Sequence, residues 1–112
     1  SDYLRTGLYS TTRQVSNTAS NIGIVDGNWH HIGFTFDGTT KQAYIDGVAI
    51  GSGQTITGTL TSSFANRTIG KFGSNATYWA NGEIGITQIY DRSLNASEVK
   101  TLFNSMRKRY NV

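Results

Sequence analysis

The chain has 112 residues, too few for a second hydrophobic core, and a domain of this size buries only about 60 to 65% of the surface its unfolded chain exposes. With 13 glycines, 12% aromatic and only 15% charged residues it reads as a β-rich globular domain, and the absence of cysteine excludes disulfides and thiolate metal sites. The net charge of +3 resides in Arg107, Lys108 and Arg109, which suit the last turn of a helix, so no nucleic-acid partner is expected.

In chain order, "YLRTGLYS" and a run near Arg13 to Val15 are β-prone, and the polar stretch "SNTASN" sets them apart from the rest of the chain. Three Asp-Gly pairs then punctuate the chain, at Asp26-Gly27, Asp37-Gly38 and Asp46-Gly47. Glycine accepts positive φ and aspartate can bond its own backbone, so each pair predicts a turn. Residues 29–36 alternate, with His30, Ile32, Phe34 and Phe36 on one face and Trp29, His31, Gly33 and Thr35 on the other. With 41–46 and 48–51 they predict a three-strand meander. Residues 52–66 read as a long loop, 67–71 as a short strand, "FGSNATYWA" as another loop and 82–90 as a last strand.

The period then changes. Val99, Leu102, Phe103 and Met106 recur at helical spacing, which predicts a helix over 96–109. Asn95 is placed as its N-cap with Glu98 three positions later, and Leu94 stands where it can staple onto Val99. No basic segment leads into an apolar one at the start, and no apolar run is long enough to cross a bilayer, so no membrane insertion is expected.

The runs "WHHIGFTFDGTTKQAYIDGVAIGS" and "NGEIGITQIYDRSLNASEVKTLF", spanning residues 27–53 and 81–103, resemble the laminin G-like domains of the concanavalin A-like lectin/glucanase superfamily. The resemblance implies an all-β fold: a jelly-roll sandwich of two antiparallel sheets with one C-terminal α-helix. Such a fold usually takes more chain than this, so residues 1–112 are expected to be a single domain lacking some N-terminal strands, the C-terminal part of a larger protein. The ending "VKTLFNSMRKRYNV" resembles the way such domains finish in phage and other viral structural proteins. That implies a virion surface or extracellular location.

The candidate chemistry follows from spacing. Adjacent strand residues point to opposite faces, so His30 and His31 cannot share a metal, and His30 is expected to be a hydrogen-bonded core or inter-sheet residue. The superfamily includes glycoside hydrolases, which carry acidic residues at i and i+2 or i+4 on one strand. No such pair occurs here, so no catalytic residue and no enzymatic activity are expected, a hydrolase remnant being the remote alternative. Asp26 with Asn28, or Asn75 and Asn81 near Glu83, could offer oxygens to Ca²⁺, as relatives do. Turn formation explains them equally well, so no metal and no cofactor are expected.

For carbohydrate binding, "SNATYWANG" supplies the best patch: Tyr78 and Trp79 to stack on a sugar and Asn75 and Asn81 to hold hydroxyls. The expected function is therefore a lectin-like recognition or adhesion module. Its partners would be a glycan or cell-surface ligand, together with other structural proteins or copies of itself. A purely architectural decoration or cement protein of a capsid or tail is the alternative.

Overall fold

The structure, a computed structural model, describes residues 3–9 and 13–20 at the level of the backbone, and residues 22–60, 69–70 and 79–112 in full. Two antiparallel strands open it, β1 (Tyr3–Tyr9) and β2 (Arg13–Ser20), paired from Tyr3 opposite Ser20 to Tyr9 opposite Arg13 with a register shift after Leu4. The strand β2 takes up most of the polar stretch read as a spacer. The meander comes next as β3 (Ile32–Phe36), β4 (Thr40–Ile45) and β5 (Val48–Thr55), in sheet order β3-β4-β5. One helix, α1 (Ala96–Tyr110), closes the chain. The architecture is thus mainly antiparallel β with a C-terminal helix, as the resemblance implied.

The turns form where aspartate and glycine placed them. Between β3 and β4 the Asp37 Oδ1 accepts the backbone N–H groups of Thr39 and Thr40 at 2.9 and 2.7 Å, with Gly38 at φ +99°. Between β4 and β5, Asp46 and Gly47 both have positive φ, 50° and 77°, the two-residue geometry that matches the twist of a tight hairpin. A Cβ on Gly47 would stand 2.9 Å from Lys100 Cδ and 3.0 Å from Phe103, so the helix rests directly on this turn.

The core forms where β4 is central. Ala43, Tyr44 and Ile45 are buried in succession, so both faces of β4 are covered at this end. Ile56, Val99 and Phe103 complete the cluster. Lys41, also in β4, is almost wholly buried, and its desolvation lowers the ammonium pKa. At the helix start both halves of the expected capping box are present: Glu98 N–H donates to Asn95 Oδ1 at 2.8 Å and Asn95 N–H donates to Glu98 Oε1 at 3.1 Å.

Three further expectations change. The strand β5 runs on to Thr55, into residues read as loop. It passes a bulge at Gly51 (φ +67°), where the Gln42 side-chain amide donates to the Ile50 and Gly51 carbonyls at 3.0 and 3.4 Å. The strand β3 begins at Ile32 rather than Trp29. Residues 82–90 form no strand at all, because nothing among the described residues pairs with their backbone. Of the strand read at 67–71, only Ile69 and Gly70 are described, and they lie in a bend.

Candidate functional site

Three places on the molecule gather the residues that sequence reasoning singled out or passed over. At the head of β3, His30 is held between two aspartates, its Nδ1 2.8 Å from Asp46 Oδ2 and its Nε2 3.1 Å from Asp26 Oδ1. Both ring nitrogens face carboxylate oxygen, which only the protonated ring can satisfy with two N–H donors. The pKa is raised accordingly, chiefly by the Asp46 hydrogen bond and against the effect of burial.

Asp26 is pulled down to about 2, first by the Asn28 side-chain and backbone N–H groups at 2.9 and 2.8 Å and then by His30. Asp46 also accepts the His31 backbone N–H at 2.9 Å, so one turn carboxylate ties the entry of β3 to the end of β4. The expectation of a hydrogen-bonded His30 is met, but by acidic turn residues rather than in an apolar core.

His31 points the other way, as alternation required. Its ring packs 6.1 Å from that of Phe103, its Nδ1 is buried without a hydrogen-bond partner among the described residues, and burial pushes its pKa down. The two imidazoles therefore have opposite environments. No group of three or more His, Asp or Glu residues is arranged to hold a metal among the described residues. The Asp26 and Asn28 pair considered for Ca²⁺ is spent on itself and on His30.

The second place is the candidate sugar patch. Trp79 is 62% exposed, Asn81 is exposed beside it, and the Ala80 N–H donates to the Gly70 carbonyl at 2.7 Å, which fixes the chain next to the ring. Tyr78 and Asn75 lie outside the described residues. Of the four, the structure describes Trp79 and Asn81, both exposed.

The third place was not foreseen as a site. An open groove of about 470 Å³ lies between β3 and residues 83–88, with Phe103, Met106 and Tyr110 of α1 along it. It continues between Phe34–Phe36 and residues 88–94. Ile32, Phe34, Ile84, Ile86 and Tyr90 on its walls are all about half exposed. Tyr110 anchors one wall: its hydroxyl accepts the Ile86 N–H at 3.0 Å and its ring stacks tilted on Trp29 at 4.8 Å. Ile84, Ile86 and Tyr90 alternate along the run 82–90 that was read as a last strand. Nothing in that alternation announced that these side chains would stay about half exposed.

The basic cluster at the helix end is partly used internally. Arg107 donates through Nε to the Val112 carbonyl at 2.7 Å and stands over the Phe103 ring, with Asn111 in the left-handed conformation as C-cap.

A laminin G family model of the concanavalin A-like lectin/glucanases superfamily matches residues 1–100. Among solved structures the chain is similar to residues 221–444 of an S-layer domain-containing protein from Clostridium thermocellum, with a TM-score of 0.62 and 23% identity. That likeness, one of fold, covers 90% of this chain and 51% of the other, so the chain spans about half of that neighbour's length. No curated protein matches the sequence.

Proposed function

The chain belongs to the concanavalin A-like lectin/glucanases superfamily, in its laminin G-like branch, and from that premise we propose that it is a non-catalytic recognition module of a larger surface protein. The observation that carries this reading is Trp79, a large ring left 62% exposed beside Asn81 on a chain segment pinned at Ala80. A flat ring with adjacent amides is what a sugar face and its hydroxyls need. Tyr78 and Asn75 complete the proposed patch.

The neighbour by its name contains an S-layer domain, which agrees with a surface or extracellular setting for this chain. A virion surface, suggested by the helix with its basic and aromatic end, is the specific setting we propose. In the intact protein the described strands would form part of a complete two-sheet jelly roll.

A screen of immobilised glycans tests the reading. The protein should bind at least one glycan class, and Trp79→Ala should weaken that binding about tenfold or more while leaving its circular dichroism unchanged. Full binding by the variant overturns the patch. The apolar groove favours a second reading, an architectural role through protein contacts with structural partners or further copies of the chain. A particle map with Trp79 buried against a neighbouring subunit would select it.

A further inference from the structure

We propose that Asn81 is a self-modification site: the Gly82 backbone nitrogen displaces the side-chain amide, and the amide beside Trp79 becomes a carboxylate. Of the asparagines in the sequence, Asn81 alone is followed by glycine. The amide carbon of any asparagine lies within reach of the next backbone nitrogen, and what chiefly holds the two apart is the side chain of that next residue, which glycine lacks. In the first step the Gly82 nitrogen gives its proton to solvent base and bonds to Asn81 Cγ. The Cγ–Nδ2 bond breaks and the nitrogen takes up a proton, so ammonia leaves and a cyclic imide remains. In the second step water opens the imide. Cleavage at Cγ leaves an aspartyl residue, and cleavage at the main-chain carbonyl leaves an isoaspartyl residue, whose backbone is longer by a methylene. Water enters, ammonia leaves, and nothing is oxidised or reduced.

The structure leaves this pair free to react. Asn81 and Gly82 are both exposed, and among the described residues no hydrogen bond holds the Asn81 side chain or the Gly82 N–H. A Cβ built on Gly82 would meet nothing within 4 Å, so the space that the imide needs is open. Anchors stand on either side of the pair: the Ala80 N–H donates to the Gly70 carbonyl at 2.7 Å and the Ile86 N–H to the Tyr110 hydroxyl at 3.0 Å. The main-chain rotation that brings the Gly82 nitrogen onto Cγ falls between them.

The competing sites among the described residues are held. An Asp-Gly pair can close the same imide with loss of water, but Asp26, Asp37 and Asp46 accept backbone N–H groups from Asn28, Thr39 and Thr40, and His31 respectively. Those bonds favour the ionised carboxylate, a poor electrophile, and aim it away from the following nitrogen. Asn28 donates its amide to Asp26, and Asn95 Oδ1 accepts the Glu98 N–H as the helix cap. Asn104 lies inside α1, where the next N–H is committed to the helix, and the Val112 N–H after Asn111 donates to the Arg107 carbonyl at 3.0 Å.

The conversion replaces a group that donates and accepts hydrogen bonds by one that only accepts and carries negative charge. On the reading of Trp79 and Asn81 as a sugar patch, on which this consequence rests, glycan binding falls as the protein ages.

The test is to age the protein in mildly alkaline buffer and map its peptides by mass spectrometry at intervals, beside a Gly82→Ala variant whose added methyl meets nothing. The parent should gain the mass of an amide-to-acid conversion first in the peptide holding residues 81 and 82, as an aspartyl and isoaspartyl pair, roughly tenfold or more faster than at Asn28, Asn95, Asn104 or Asn111. Gly82→Ala should slow that gain by a similar factor. Acid appearing first at one of those other asparagines, or an unchanged rate in Gly82→Ala, overturns the proposal. Fresh and aged samples of both proteins, taken through the glycan screen, read the consequence: binding should fall about tenfold with age in the parent and hold in the variant. Binding that holds in the aged parent overturns the loss at the patch, whereas full binding by Trp79→Ala overturns the recognition reading and leaves the mass result standing.

Discussion

The meander with its helix and the segment 79–90 both carry apolar side chains, yet only the first buries a cluster of them. Tyr44, Ile45, Val99 and Phe103 are buried within the one, whereas Ile84, Ile86 and Ile89 of the other stay exposed, Ile89 by 90%. The difference is one of partners. Each meander strand finds its neighbour across a two- or three-residue turn, and α1 carries its own caps, so these elements close on themselves. Among the described residues, the segment 83–90 meets the helix at Tyr110, whose hydroxyl accepts the Ile86 N–H. Apolar alternation thus fixes which face a strand would bury, while the existence of the strand depends on a backbone alongside it.

The largest effect that would break this comparison is at Phe103. Truncation to alanine leaves a cavity between α1 and the β4–β5 turn and should cost about 3 to 5 kcal/mol in chemical denaturation. A loss below about 1 kcal/mol would mean that the helix is not part of the core. Next, Asn95→Ala removes the cap and unseats Glu98, with an expected cost of about 1 kcal/mol read from the same experiment.

The histidines sharpen the comparison by pH. His30 has a raised pKa, so its contribution to stability is complete below the ordinary histidine pKa of 6.5 and is lost as pH rises through the raised value. His31 has a lowered pKa, so it costs stability as pH falls from 6.5 toward that lowered value. NMR titration should find the two on opposite sides of 6.5, and Asp46→Asn should bring His30 down. A His31→Leu variant should then gain stability between pH 8 and 6, and a decline over that interval would contradict the assignment. The smallest effect is expected at Ile89→Ser, within about 0.5 kcal/mol of the parent, because so exposed a side chain has little to lose.

What could be read from the sequence divides along the same line. The capping box, the Asp-Gly turns and the opposite facing of His30 and His31 rest on contacts a few residues apart, and all are found. The extension of β5 through Gly51 escaped because its bulge is secured by Gln42, on another strand. The carboxylate grip on His30 escaped for a related reason: Asp26 and Asp46 were legible as turn residues, but the sheet is what brings Asp46 to a residue 16 positions away. Trp79 and Asn81 were legible as exposed polar-aromatic neighbours. The groove was not, since it depends on how β3, residues 83–90 and α1 come together in space.

Amide exchange on the 112-residue chain itself tests this contrast most directly. The account predicts that residues 41–45 and 99–106 exchange with the protection of global unfolding, while 83–85 and 87–90 exchange close to the free-peptide rate. Equal protection in the two regions would contradict it.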